Sequence, residues 1–332
     1  MDIRNTRHLK SFAADRAANA PQEKRILLIY CGLTMGLSLL SLIVRYVLDL
    51  QIDQLGGLSN LSRRSMLSAV QSMLPLVVSL VVMCIEVGYI AAMLRIARGQ
   101  YASPNTLRLG FDRFWTLLRC SVFQGLIYGA LSLGAVYLAT MVFVMSPWGT
   151  AFMEQVSPLM ANVSLLNPQM VIDDGTAMAL IPSMIPMFVM VAIAVCLLVI
   201  PTAFRFRMAN YVIIDKPGKG ALYALRESKK MMRGNCRKLL KLDLSYWWYF
   251  LLLLAISSVG NMDLYLDSFG VKLPMSANAA YFLFYIAYLA LQLAAYYFLR
   301  NRIEVTYALA YDSIKPEEPK DNGIVLGNIF NM

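Results

Sequence analysis

The fold class this sequence predicts is all-α: a polytopic membrane protein of six transmembrane helices with amphipathic helices on the cytoplasmic side. Three observations predict it. The chain of 332 residues is 58% hydrophobic and 15% charged, whereas a soluble domain is roughly half apolar and about a quarter charged. A hydrocarbon core about 30 Å thick takes ~20 mostly apolar residues of helix to cross, and spans near 26–50, 69–94, 117–145, 178–204, 244–261 and 279–299 meet that length or come close to it. None alternates polar and apolar residues as a barrel strand does. The third observation is the sidedness of the cations. Twenty-six of the 30 Lys and Arg fall in the N-terminal segment, the second loop, the fourth loop and the segment after the last span. A bias of that kind keeps those segments cytoplasmic.

Taken in order, residues 1–25 form a polar cytoplasmic segment. The span after them is too long for a removable signal and lacks a small-residue cleavage site, so it stays as the first membrane helix. It carries Gly32 and Gly36, and the third span carries Gly125 and Gly129, a spacing that lets helices approach closely inside a bundle. The second span holds Pro75 and Glu86 and ends at Arg95 and Arg98; an amphipathic stretch over 107–114 leads into the third. The outer loop 146–177 has no Lys or Arg and three acids, Glu154, Asp173 and Asp174. Pro182, Pro186 and Pro201 lie in the fourth span, where each removes a backbone donor and permits a kink. The fourth loop, the basic insert 205–243, contains eleven cations.

Within that insert a helix is expected from Ala221, with Leu222, Leu225, Met232, Cys236 and Leu239 on one face and Arg226, Lys230, Arg233, Arg237 and Lys241 as a basic stripe. Gly234-Asn235 breaks it, since Gly suits the position after a helix end and Asn the cap of the next. Two short helices result, the second running into the fifth span. Residues 26–314 make one transmembrane domain and 315–332 a cytoplasmic tail. Two out-to-in-to-out units offset by about 112 residues read equally as an internal repeat and as convergence on the same membrane constraints.

The net charge of +10 does not signal nucleic acid, because topology accounts for where the cations sit. Trp115, Trp247 and Trp248 lie at inner span ends and Trp148 at an outer one, as amphipathic rings prefer. The five Cys avoid the outer loops and the single His, His8, stands in the N-terminal arm, so neither a structural disulfide nor a zinc or haem site is expected. No cofactor is expected either. No His lies in any span to activate a serine, and Asp215-Lys216-Pro217-Gly218-Lys219-Gly220 lacks Walker spacing. An enzyme would need Asp215, Glu227 or Asp243 gathered with a metal at the inner face.

Two candidate sites remain. Glu86 is the one ionisable residue deep in a span, where a carboxylate costs about 2.5–3.5 kcal/mol by insertion scales. It stands only ~13 Å of helix before Arg95, so pairing with Arg119, Arg205 or Arg207 is the structural alternative to a functional role. The stripe Arg226, Lys230, Arg233, Arg237 and Lys241 is a candidate contact for anionic inner-leaflet lipid, at about 1 kcal/mol per cation. Setting topology alone is its blander use.

The run ALYALRESKKMMRGNCRKLLKLDLSYWW over 221–248 and EVTYALAYDSI over 304–314 resemble the bacterial membrane family catalogued as domain of unknown function 975. That resemblance implies a bacterial multi-span protein and no assigned activity. The chain departs from the pattern at Ala310-Tyr311, where an aromatic pair is usual, and in a longer outer loop between the third and fourth spans.

The function expected is non-enzymatic and transport-related or envelope-maintaining, in the bacterial cytoplasmic membrane with both termini cytoplasmic. A scaffold that binds anionic lipid or a protein partner through the basic helices is the alternative. Transport calls for a polar route near Glu86; a scaffold calls for a closed apolar bundle.

Overall fold

The structure is a computed structural model and describes residues 6–54, 61–161, 174–268, 271 and 277–316. Among the described residues every regular element is helical. In chain order these are α1 (Thr6–Ala18), α2 (Glu23–Gln54), α3 (Leu61–Ala97), a 3-10 turn (Pro104–Arg108), α4 (Leu109–Asp112), α5 (Phe114–Val144), α6 (Pro147–Ala161) and α7 (Asp174–Phe206). There follow α8 (Ala209–Asp215), α9 (Ala221–Met232), α10 (Cys236–Leu244), α11 (Trp247–Val259), α12 (Met262–Ser268), α13 (Ala277–Ala295), a π turn (Tyr296–Arg300) and α14 (Asn301–Ile314). Among the described residues five helices are long and apolar enough to cross a membrane, or six if α10 and α11 form one bent span.

That fifth span differs from the expectation that the second insert helix runs on into a span over 244–261. α11 has 13 residues, about 20 Å of helix against a 30 Å core, and it meets α10 at an angle of 59°. Partners outside the two helices hold the bend. Lys10 Nζ donates to the Ser245 carbonyl at 2.9 Å and lies 3.8 Å over the Tyr246 ring, while the Tyr246 and Thr306 hydroxyls are 3.0 Å apart. Burial there lowers the Lys10 pKa.

The chain divides into two compact units, one of Met1–Leu118 with Met208–Met332, the other Arg119–Arg207. In the second, Ser146 Oγ donates to the Phe143 carbonyl at 2.6 Å at the turn between α5 and α6, and the Phe143 and Phe152 rings are 6.0 Å apart. No residue in the most apolar stretch of α7 is buried.

The first unit has a protein-like core where α1, the last turns of α3, α8, α9 and α14 converge. Leu9, Ala13 and Ala17, spaced by four, are the buried stripe of α1 and it packs on α14 and α3. Gly88 and Gly110 make the closest approaches: a Cβ on Gly88 would strike the Leu107 backbone and one on Gly110 the Cys84 backbone. α3 is thereby locked to the 3-10 turn and α4. Ser103 caps that turn, accepting from the Asn105 amide at 3.3 Å, with Pro104 next in the chain. By contrast, among the described residues no side chain and no backbone of another element lies within 4 Å of a Cβ built on Gly32, Gly36, Gly125 or Gly129. The close helix contacts expected of those pairs are absent among the described residues.

Gly234, at φ +85°, separates α9 from α10, a left-handed conformation that costs glycine nothing. Asn235 takes the cap position but not the capping bond. Its Nδ2 donates to the Met231 carbonyl at 2.9 Å and its Oδ1 accepts from Lys238 at 2.8 Å. The insert's apolar face is also not left for a bilayer: Leu225, Met232 and Leu239 are buried in the protein, although Leu222 is exposed. Expectations for Asp173, Lys272 and the tail residues 317–332 lie outside the described residues, as do the side chains of residues 174–181.

Candidate functional site

Three helices of the first unit, α2, α3 and α13, carry polar residues at helical spacing among otherwise apolar ones. On α13 they are Tyr281, Tyr285, Tyr288 and Gln292, continued by Tyr296 in the π turn; on α2 they are Thr34, Ser38, Ser41, Arg45 and Asp49. Steps of three and four put each set on one face. Those faces line two cavities. The larger, about 530 Å³, is walled by Ser41, Arg45, Asp49, Pro75, Ser79 and Tyr281 among others; the smaller, about 180 Å³, by Tyr30, Thr34, Tyr288, Gln292 and Tyr296 among others. Ser38, Val82 and Tyr285 belong to both, so the two are successive parts of one cleft. The opposite faces of α2 and α13 present Leu33, Leu40, Leu283 and Ile286 outward.

Hydroxyls in the cleft are anchored but not used up. Thr34 donates to the Tyr30 carbonyl at 2.9 Å, Ser38 to the Thr34 carbonyl at 2.9 Å and Ser79 to the Leu76 carbonyl at 2.8 Å. Each oxygen retains acceptor capacity. Gln292 Nε2 donates to the Tyr296 hydroxyl at 3.0 Å.

Against Tyr30 and Tyr296, which line the smaller cavity, packs Arg300, the last residue of the π turn. Its guanidinium carbon lies 4.4 Å from the Tyr296 ring centroid, 4.7 Å from Tyr30 and 5.4 Å from Tyr89, and Tyr30 stacks on Tyr89 at 4.4 Å. The residue is 9% exposed, and among the described residues its buried Nε has no hydrogen-bond partner. Three ring faces thus stand in for hydration around a buried cation. The floor beneath is tied by Tyr89, whose hydroxyl donates to Asn301 Oδ1 at 2.5 Å. An extra residue per turn in the π segment sets Arg300 toward these rings, and π turns recur at functional positions.

Glu86 is found at this cage. Its Oε1 is 3.5 Å from Arg300 Nη2 and its side chain is 49% exposed. Arg300, rather than Arg119, Arg205 or Arg207, is its ion-pair partner. Glu86 itself does not line either cavity. Sequence reasoning misses Arg300 because it stops the sixth span at Leu299 and counts the next residue as one more cytoplasmic cation. The signal that points to it is the tyrosine ladder of α13, whose spacing runs on through Tyr296 to Arg300.

Arg226, Lys230, Arg233, Arg237 and Lys241 are all exposed, as a stripe requires. The acids Asp215, Glu227 and Asp243 stand on α8, α9 and α10. Asp215 is bound by Arg98 at 2.9 Å, Lys315 at 2.6 Å and the Tyr311 hydroxyl at 3.1 Å, and Asp243 accepts from the Tyr307 hydroxyl at 2.7 Å. Arg98 also pairs with Asp312 at 2.6 Å. Asp312 first, then Asp215, raise the Arg98 pKa above its ordinary value against the effect of burial. This cluster ties the end of α3 to α8 and α14. Among the described residues no three His, Cys, Asp or Glu side chains form a group able to hold a metal, and all five cysteines are free thiols.

Fold and site together define an all-helical protein whose long apolar helices enclose a tyrosine-lined polar cleft. The chain belongs to the family described as protein of unknown function (DUF975), whose model matches residues 3–318. No curated protein and no solved structure matches it.

Proposed function

We propose that this protein is a transport-related, non-enzymatic component of the bacterial cytoplasmic membrane, with both termini inside, and that it accepts an amphipathic ligand in the cleft of α2, α3 and α13. The observation that carries this reading is the cleft: hydroxyls, Gln292 and a tyrosine ladder facing one continuous cavity pair, with Arg300 caged against the lining residues Tyr30 and Tyr296 and Glu86 beside it. Polar side chains facing a cavity between apolar helices are costly unless water or a ligand satisfies them. Pro75 in the cavity wall lets α3 yield there without losing a donor it never had. The cation bias supplies the orientation.

The test is cysteine accessibility in a chain whose five native cysteines have been replaced. Ser38→Cys and Gln292→Cys should react with a membrane-impermeant maleimide in proteoliposomes, whereas Val189→Cys, exposed on an apolar face of α7, should not. Absence of reaction at both cleft positions would refute the transport reading and favour the scaffold, in which the five exposed cations of α9 and α10 and the residues around them do the binding.

A further inference from the structure

Arg45 and Asp49 stand one turn apart on α2 and both line the larger cavity. At that spacing Cβ atoms are about 5–6 Å apart and opposite charges ordinarily pair. These do not. Among the described residues Arg45 has no hydrogen bond or ion pair, whereas Asp49 accepts from Gln71 Nε2 at 2.6 Å. Two opposite charges are therefore held apart on one wall, with the cation left open to the cavity.

Aromatic rings stand around the same space. Tyr46 meets Phe282 edge to face at 5.3 Å, and Tyr281 stacks on Tyr285 at 6.1 Å; all four line the cavity. Their faces carry negative potential and attract ammonium groups. Asp49 adds a full negative charge on the wall they share. Ser41 and Ser79 supply further polar atoms, and Leu42, Val78 and Val82 an apolar strip.

We propose that this cavity binds a zwitterion in which an ammonium and a phosphate oxyanion are separated by a few ångströms, the phosphate on Arg45 and the ammonium between Asp49 and the rings of Tyr46, Tyr281 and Phe282. A plain anion would face Asp49 and a plain cation would face Arg45, so either meets a like charge that a zwitterion turns into a second attraction. Depth fits a phosphoethanolamine lipid headgroup: Arg45 is fifteen residues beyond Tyr30, about 22 Å along the helix, which brings it to the headgroup layer if Tyr30 is near the other face. The acyl chains would then follow the apolar strip. A soluble zwitterion of the same chemistry would use the same groups. The volume, about 530 Å³, lies in the range of small-molecule sites.

This proposal rests on the cleft being a ligand site, and the experiment separates the two. The full chain in detergent is titrated by native mass spectrometry with phosphatidylethanolamine and with phosphatidylglycerol of the same acyl chains, and by calorimetry with glycerophosphoethanolamine. Phosphatidylethanolamine should bind at least 10-fold more tightly than phosphatidylglycerol. Asp49→Asn should erase that preference, Arg45→Gln should weaken both lipids about 10-fold, and Arg63→Gln, outside the cavity, should change neither. Tight binding of glycerophosphoethanolamine with the same dependence on Arg45 and Asp49 upholds the site and identifies a soluble zwitterion as its source. Equal affinity of the wild type for the two lipids, or a preference that survives both substitutions, overturns the proposal; the wild-type comparison needs no variant to fold. Maleimide labelling at Ser38→Cys without headgroup preference leaves the cleft standing and removes the zwitterion alone.

Discussion

Among the attachments of Arg300, which also feels the charge of Glu304, the rings and Glu86 are unequal, and their magnitudes say which of those two matters more. Cation–π contacts are worth about 2 kcal/mol or more when desolvated, and here three rings surround a buried guanidinium. The Glu86 contact is 3.5 Å long to a half-exposed carboxylate, a geometry worth roughly 0–1 kcal/mol. Arg300→Ala should therefore lower stability by about 2 kcal/mol or more, Arg300→Lys should recover only part of it because an ammonium lacks the planar stacking face, and Glu86→Gln should cost under about 1 kcal/mol. Thermal denaturation of the purified variants in detergent measures all three. A larger loss for Glu86→Gln than for Arg300→Ala would reverse the assignment. Glu86 was legible in the sequence as an expensive charge in an apolar run; its partner was not, because Arg300 stands just where a helix normally acquires its first cytoplasmic cation, and only the fold turns it inward.

At the scale of elements, the break at Gly234-Asn235 was legible because it depends on backbone conformation alone: α9 follows Gly220 and stops before Gly234, and α10 starts after Asn235. The bend between α10 and α11 was not. Ser245 and Tyr246 are unremarkable in a helical run, and what bends the chain there is their engagement by Lys10 and Thr306, distant in sequence. The glycines make the same distinction experimentally testable. Gly88→Ala and Gly110→Ala each push a methyl into backbone and should cost on the order of 1–3 kcal/mol. Gly32→Ala and Gly36→Ala meet open space and should be neutral or stabilising by up to about 1 kcal/mol from helix propensity. Midpoints of unfolding in detergent for the four variants give the comparison, and a loss at Gly36→Ala matching that at Gly88→Ala would contradict it. Spacing of four residues singled out Gly32, Gly36, Gly125 and Gly129, which no neighbour approaches, and passed over Gly88 and Gly110, which have no glycine four residues away.

Across the whole molecule, hydropathy and cation placement carry most of what the sequence reveals, since the solvent acts on every residue of a span at once. The six spans reappear as five long helices and a bent pair. The cleft was only partly readable: the polar faces of α2 and α13 follow from spacing, yet their confrontation across one cavity depends on tertiary packing. Orientation gives a direct expectation. Reporter fusions after residue 226 or residue 315 should be active as cytoplasmic reporters, and fusions in the loop near Trp148 as periplasmic ones; the reverse pattern would overturn the topology. The central claim, a polar cleft open within apolar helices, is tested most directly by cryo-electron microscopy of the protein in lipid nanodiscs. The account expects non-protein density between α2, α3 and α13, reaching from Arg45 toward Tyr296. Helices closed upon each other, with Tyr281, Tyr285 and Tyr288 packed directly against α2 and no density between them, would contradict it.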